Sequence, residues 1–291
     1  MADIPFQSIA RSALQTYVRR FPVSKGKQRL VDLLWKSLST GSTALPTTLS
    51  QAEVQIVCDL TQYIQRHIYY WGSYEREACA IWMQRARSSR TIFDVGANIG
   101  IYSLLAATAN PQAHVHAFEP TPEIIYAFRQ NIQLNNLTNI TVNATGIGKE
   151  DGCAVLRQCR GLDETNEGMN FIVEIAQEKF ASDLRVPVVS LDNYCERQGI
   201  DQIDLLKMDI EGGEYDALNG ATRLLRTQAI KCIFFELVEW SAARSGHSTT
   251  DIKRLLGESG YKLYEVSGGG LKPVRGESAE SIACAVALPK D

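Results

Sequence analysis

The sequence predicts an α/β protein whose core is a mostly parallel, doubly wound sheet. From residue 91 onward, short apolar runs alternate with segments of helical apolar spacing, which is typical of β-α-β units. The last two apolar runs, residues 261–267 and 281–288, have no helical pattern between them. We therefore expect seven strands, the last two of which form an antiparallel hairpin at the end of the sheet.

The expected elements follow in chain order. Five apolar runs predict the parallel strands: 91–96, 113–120, 140–148, 204–210 and 230–240. Helical spacing predicts the helices between and after them: 100–109, 122–136, 190–199, 212–226 and 249–260. Ser190 is suited to cap its helix, and a threonine cap with a glycine stop is expected for the last one. Residues 153–190 are less periodic and predict extra strands or a hairpin.

The N-terminal segment differs in charge from the rest of the chain. Residues 1–40 contain seven Lys/Arg and two acidic residues, with helical apolar spacing. We expect a mainly helical extension over residues 1–68, packed on a larger domain over 69–291, with a homodimer contact as a further candidate role. The alternative is contact with an anionic membrane surface, which basic amphipathic segments favour. Residues 39–51 resemble a linker, and a strand is expected at 54–58.

Overall composition excludes several functional classes. The net charge of -3 gives no indication of a nucleic-acid partner. No apolar run reaches the roughly 20 residues of a membrane span, and the first residues lack the apolar core of a signal peptide. The seven cysteines are scattered and form no C-x-x-C pair, which predicts reduced thiols and a cytoplasmic location.

A glycine-containing turn follows the first predicted strand in "DVGANIG", residues 94–100. The dinucleotide pattern G-x-G-x-x-G is incomplete here because Ala97 and Asn98 follow Gly96 before Gly100. An acidic residue at position 94 would also repel a pyrophosphate. S-adenosylmethionine fits better, because it has no phosphate and carries an ammonium and a sulfonium group.

Roles for the individual residues follow from that ligand. Asp94 can attract its cationic end, and backbone amides near Asn98 can receive its carboxylate. Glu119 ends the second predicted strand, where a carboxylate can accept both ribose hydroxyl groups. An NAD-dependent dehydrogenase is the weakest alternative, since such proteins also use an acidic residue at that place.

Five segments resemble the FkbM-type S-adenosylmethionine-dependent methyltransferases: "YYWGSYERE", "IFDVGANIGIYSLLAA", "AFEPTPEIIYAFRQNIQLNNLTNI", "VVSLDNY" and "IDLLKMDIEGGEYDALNGA". The resemblance implies a Rossmann-like class I methyltransferase fold with strand order 3-2-1-4-5-7-6. It implies O-methylation of sugars or secondary metabolites, with S-adenosylhomocysteine as the product. It also adds Ala97, Pro120 and Glu75 to the cofactor contacts. The acidic residue that many relatives use for adenine after the third strand is missing from residues 140–148.

The second acidic motif, "K-x-D-x-E-G-x-E", contains two of the four candidate catalytic residues. Asp209 ends the fourth predicted strand beside the first, and Glu211 follows in the loop. Glu236 ends the fifth strand, and His247 is a further candidate base because its unperturbed pKa lies near 6.5. Acidic residues near a helix N-terminus can equally be stabilised by the helix dipole alone. Mg²⁺ is an option that the oxygen ligands allow but the sequence does not require, and no zinc pattern is present.

The sequence therefore predicts an S-adenosylmethionine-dependent O-methyltransferase acting on a small-molecule or glycan acceptor. An N-methyltransferase on the same fold remains an alternative, because a neutral amine needs less help from a base. A non-catalytic binding domain is the alternative from another functional class. Acidic residues at positions 94, 119 and 209 favour the enzyme, since binding alone would not require all of them.

Overall fold

The computed structural model describes residues 5–22, 25–38, 43–157, 171–173, 183–274 and 281–290. These residues form two compact units. The first unit contains the described residues up to Arg76, and the second contains those from Glu77 onward. The domain boundary at residue 68 stays a prediction.

The first unit combines helices with a strand pair. Its elements are α1 (Pro5–Arg20), α2 (Lys27–Leu38), β1 (Ala44–Leu49), β2 (Val54–Asp59) and α3 (Tyr63–Trp71). The helices predicted for residues 1–40 and the strand predicted at 54–58 are confirmed within the described residues. The linker predicted at 39–51 is wrong where β1 lies, because Thr47 and Leu49 alternate with exposed residues and pair with β2.

The second unit is built on one large sheet and one small sheet. Its strands are β3 (Thr91–Val95), β4 (His114–Phe118), β5 (Ile140–Asn143), β6 (Gly146–Ile147), β7 (Gly152–Arg157), β8 (Phe171–Val173), β9 (Asp183–Val189), β10 (Leu205–Met208), β11 (Ile233–Leu237), β12 (Tyr261–Ser267), β13 (Gly270–Pro273) and β14 (Ile282–Pro289). Its helices are α4 (Arg76–Ala86), α5 (Ile101–Ala109), α6 (Pro122–Leu134), α7 (Leu191–Gln198), α8 (Glu214–Asn219), α9 (Thr222–Arg226), α10 (Glu239–Ala242) and α11 (Thr249–Glu258).

The large sheet has the order β13-β12-β14-β11-β10-β3-β4-β5. Strands β3, β4, β5, β10 and β11 run parallel, and β14 is antiparallel to both of its neighbours. The fold is therefore the α/β, class I methyltransferase-like arrangement, with the seven expected strands in the expected order. The predicted count is one short, because Gly268 and Gly269 turn the chain at positive φ and β13 returns along the edge of β12.

The small sheet uses the weakly periodic part of the chain. Its order is β6-β9-β7-β8, so the extra strands expected within residues 153–190 are present in the described parts. The third predicted strand, 140–148, is divided because β5 ends at Asn143 and Gly146–Ile147 pairs with β9 instead. Extra strands of this kind lie outside the large sheet and leave its order unchanged.

Helix ends follow local capping chemistry. Ser190 caps α7 as predicted, and its Oγ accepts a hydrogen bond from the Asn193 amide at 3.2 Å. The cap of α11 is Ser248 rather than a threonine, in a capping box with Asp251. The helix predicted over 212–226 is divided between α8 and α9 at Gly220.

No helix in the described part of the chain has the length and apolar character needed to cross a bilayer.

Two glycines after β3 allow close approaches that position the carboxyl edge of the sheet. A Cβ at Gly96, which has φ +78°, would lie 1.9 Å from the Asp209 carbonyl oxygen. A Cβ at Gly100, which has φ +92°, would lie 1.9 Å from the Phe128 ring. Only glycine satisfies both the backbone conformation and the available space at these positions.

We expect Gly96→Ala to lower the free energy of unfolding by more than about 2 kcal/mol, because left-handed strain adds to a backbone clash. Gly257→Ala is the matched control, since no atom lies within 4 Å of its Cβ position on α11. That control should gain roughly 0.5–1 kcal/mol through helix propensity. Urea denaturation of both variants checks this, and equal stabilities would contradict the close approach.

Candidate active site

Three neighbouring strands of the large sheet end together at one edge. The amides of Gly96 and Ala97 both donate to the Phe118 carbonyl, each at 3.0 Å. The Asp209 amide donates to the Val95 carbonyl at 3.0 Å. These bonds join the loops that follow β3, β4 and β10, and ligands bind at this carboxyl edge in open α/β sheets.

Asp94 lies beneath this edge, with 2% of its surface exposed. Its Oδ2 accepts a 2.6 Å hydrogen bond from the Ser103 hydroxyl on α5. Burial raises the pKa of Asp94 to about 6, although the Ser103 hydrogen bond and the Lys207 charge act in the opposite direction. A carboxylate held in this way is strongly favourable for a neighbouring cation. The sequence contains little indication that Ser103 is the partner of Asp94. The one available signal is its position nine residues later, on the helix that follows β3.

Glu119 bridges the loops after β3 and β4. Its Oε2 accepts a hydrogen bond from the Asn98 amide at 3.1 Å, and its Oε1 accepts one from the Thr121 amide at 2.9 Å. The side chain is 6% exposed. Backbone donors on both oxygens therefore fix the orientation of this carboxylate.

The amides near Asn98 are engaged within the protein. The Asn98 amide donates to Glu119, and the Ile99 amide donates to the Asn98 Oδ1 at 2.7 Å. The Gly100 amide donates to the Ala97 carbonyl at 2.9 Å. These amides make their hydrogen bonds within the protein in this structure, and their assignment to a ligand carboxylate stays a prediction.

A buried cation accompanies Asp209. Lys207 is 3% exposed, and its Nζ donates to Asp209 Oδ2 at 2.9 Å. The same Nζ lies 4.9 Å from the centre of the Tyr102 ring, within cation–π range. The Asp209 side chain remains 25% exposed. Lys207 thus orients Asp209 toward the accessible side of the edge.

Glu214 holds the loop that carries the acidic motif. Its two carboxylate oxygens accept hydrogen bonds from the Ile210 and Gly212 amides, each at 3.0 Å. The residue is 3% exposed, and burial raises its pKa to about 7. Glu214 is therefore a structural acceptor for the loop.

Glu211 has a different environment on the same loop. Its backbone is left-handed at φ 53°, which is strained for a residue other than glycine. Its Oε2 lies 3.7 Å from Nη1 of Arg244, whose guanidinium lies 4.3 Å from the Trp240 ring centre. Burial, followed by the Asp209 charge, raises the pKa of Glu211 to about 7. Strain and a pKa near neutrality are typical of functional carboxylates.

The two remaining candidate catalytic residues are His247 and Glu236. The His247 ring centre lies 3.9 Å from that of Tyr215, and its Nε2 lies 3.7 Å from Asp216 Oδ1. Glu236 is half-buried at an irregularity in the pairing of β11 with β14. Such bulges often occur next to active sites.

Two further predicted contacts have separate positions. Pro120 lines a cleft of about 370 Å³ beside α6 and β9, with Ala144 and Pro187 among its other walls and no acidic residue among them. Glu75 belongs to the first unit, with φ 33°. Among the described residues, no group of three or more His, Cys, Asp or Glu could hold a metal ion.

Comparison with known proteins decides the family. The model of the methyltransferase FkbM domain matches residues 94–263, which are more than half of the chain. The chain belongs to the FkbM methyltransferase family. The matched region contains Asp94, Glu119 and the acidic motif at residues 207–214.

Relatives of this methyltransferase-family chain come from distant organisms. It is 31% identical over 44% of its length to methyltransferase 1 of Beauveria bassiana, and the match spans 57% of that protein. It is 27% identical over 55% of its length to the 31-O-demethyl-FK506 methyltransferase FkbM of Streptomyces tacrolimicus, across 68% of that protein. It is 25% identical over 64% of its length to the hexuronic acid methyltransferase AglP of Haloferax volcanii, across 69% of that protein.

The strain at Glu211 yields a stability prediction. We expect Glu211→Gly to raise the free energy of unfolding by about 1 kcal/mol, because glycine removes the left-handed strain. Glu53→Gly is the matched control, since Glu53 has φ 55° in the β1–β2 turn. Glu214→Ala should instead lower stability by about 1–3 kcal/mol, because two amides lose their acceptor. Denaturant titration measures all three, and destabilisation by Glu211→Gly would contradict this account.

Proposed function

We propose that this protein transfers a methyl group from S-adenosylmethionine to a hydroxyl group of a small molecule or sugar, with S-adenosylhomocysteine as the product. The observation that carries the proposal is the pair of oriented carboxylates, Asp94 and Glu119, at the ends of adjacent strands. Family membership supports the reaction class. The names of the Streptomyces and Haloferax relatives, an O-demethyl-FK506 methyltransferase and a hexuronic acid methyltransferase, support an oxygen acceptor and a sugar-like acceptor, respectively.

The residues present fit the proposed donor. Each carboxylate oxygen of Glu119 accepts a hydrogen bond from a backbone amide. This fixed orientation suits the Glu119 carboxylate to accept hydrogen bonds from a pair of ribose hydroxyl groups. Asp94 supplies buried negative charge for the ammonium end, and Asp209 balances the charge of the nearby Lys207. The adenine subsite would be formed by the acid-free cleft at Pro120, which is consistent with the missing acidic residue after β5.

The donor supplies an activated methyl group on a positively charged sulfur. The chain must align the acceptor oxygen with that methyl group and remove the hydroxyl proton. The new bond forms between oxygen and the methyl carbon, while the electron pair of the carbon–sulfur bond goes to sulfur. Alignment contributes several kcal/mol to such displacements, and a positioned base contributes roughly 10²–10⁴-fold.

Two carboxylates are placed to assist the acceptor. Asp209 is oriented by Lys207, which suits it to accept a hydrogen bond from the acceptor hydroxyl. Glu211 has a pKa of about 7, which suits it to take the proton near neutral pH. His247 and Glu236 remain proposals for the same role.

Cofactor affinity provides the first functional test. Because the pKa of Asp94 is about 6, its carboxylate is fully charged only above that pH. Affinity for S-adenosylmethionine should therefore fall below its value near pH 7, by up to about tenfold per pH unit well below pH 6. Asp94→Asn should bind weakly at every pH, and Glu119→Gln should lose about 1.5–3 kcal/mol of binding free energy.

Calorimetric titration measures these affinities. Asp204→Asn is the matched control, because Asp204 precedes β10 at the opposite end of the strand and accepts from the Arg90 and Thr91 amides. Its affinity should equal that of the wild type. Unchanged affinity in both the Asp94 and Glu119 variants, or preference for NADH, would disprove the cofactor assignment.

Turnover distinguishes the two carboxylates. We expect Glu211→Gln to reduce kcat roughly 10²-fold or more and to abolish the rise of kcat through about pH 7. Asp209→Asn should reduce kcat by a similar factor but keep that rise. Single-turnover assays with radiolabelled S-adenosylmethionine across pH provide the measurement, with the exposed Glu196→Gln as control and EDTA as the test for a metal.

Each contrary result has a clear meaning. If His247→Ala alone removes the rise with pH, the base is His247. If both carboxylate variants keep wild-type turnover, the acidic motif only organises the loop, and an amine acceptor becomes the better hypothesis. Loss of activity in EDTA would indicate that a metal ion, rather than a protein base, activates the acceptor hydroxyl group.

A further inference from the structure

The outward face of α1 presents two large apolar side chains near its N-terminal end. Phe6 and Ile9 are 75% and 67% exposed. Ala13, Thr16 and Arg20 follow at i+7, i+10 and i+14 from Phe6, and all three are exposed. This spacing places the five residues on one stripe of the helix. The stripe therefore begins with large apolar side chains and ends with a cation.

The opposite face of α1 is committed to the first unit. Leu14 and Val18 are buried there. Arg11 donates from Nη1 to the Leu38 carbonyl at 2.9 Å, and Lys27 donates to the Val18 carbonyl at 2.7 Å. The apolar stripe is thus the outer surface of an already docked helix, and it needs no unfolding to become accessible.

The charge on α1 and α2 is predominantly positive. In the described residues 5–22 and 25–38 the single acidic residue is Asp32. The exposed cations of these two segments include Arg20, Lys25, Arg29 and Lys36, whereas the Arg19 guanidinium donates to Thr47 Oγ1 and the Tyr69 carbonyl. Leu33, which is 74% exposed, lies between Arg29 and Lys36 on the outer face of α2. Large apolar side chains are therefore surrounded by positive charge.

This combination selects one kind of partner. Two copies meeting through this face about a two-fold axis would bring like charges together, which opposes self-association. An anionic bilayer offers both an apolar region for Phe6 and Ile9 and negative headgroups for the cations. We propose that the first unit binds the surface of an anionic membrane through α1, with Phe6 and Ile9 inserted at the boundary between headgroups and acyl chains.

Vesicle co-sedimentation of the full chain tests the proposal. The vesicles contain phosphatidylcholine alone, or phosphatidylcholine with phosphatidylserine. We expect binding to the phosphatidylserine vesicles, at least about tenfold weaker binding to phosphatidylcholine alone, and weakening by added salt. The double variant Phe6→Ser/Ile9→Ser should lose at least about tenfold in affinity, since burial of each side chain contributes to insertion.

The control is Tyr126→Ser, because Tyr126 is 67% exposed on α6 of the second unit. It should bind vesicles like the wild type, and thermal unfolding should confirm that all variants are folded. Equal binding by the double variant and the wild type, or no binding to phosphatidylserine vesicles, would overturn the proposal. A dimer in sedimentation velocity that the double variant converts to a monomer, without vesicle binding, would identify a second copy as the occupant instead.

Discussion

The close approach of the backbone at Gly96 to the end of β10 determines the geometry of the whole site. Without a side chain at Gly96, the loop after β3 lies directly against the Asp209 carbonyl. The same loop is fixed to β4 by two amide bonds to the Phe118 carbonyl. Asp94, Glu119 and Asp209 share one edge because these backbone contacts hold three strand ends together.

Concentrating acidic residues at one edge has an electrostatic cost, and the fold compensates it residue by residue. Ser103 donates to Asp94, Lys207 donates to Asp209, and backbone amides donate to Glu214. Glu211 has the weakest compensation, since the Arg244 guanidinium lies 3.7 Å away. Backbone strain and a raised pKa, both found at Glu211, are typical of carboxylates at functional sites.

Much of this edge could be predicted from the sequence, because parallel strands that alternate with helices must end on one side. That rule places Asp94, Glu119 and Asp209 together before any coordinates are known. The partners of these residues could not be predicted in the same way. Ser103 and Arg244 contact the acidic residues only through tertiary packing. Strand β1 forms where the local pattern indicated a linker, and β13 forms where no strand was expected, because strand pairing depends on other segments of the chain.

The central claim is that the oriented carboxylates at this edge bind S-adenosylmethionine for methyl transfer. A crystal structure of the protein with S-adenosylhomocysteine tests it most directly. The account predicts that Glu119 accepts hydrogen bonds from both ribose hydroxyl groups and that the ammonium group lies on the Asp94 side of the edge. Ligand bound elsewhere, or ribose hydroxyl groups without contact to Glu119, would contradict it.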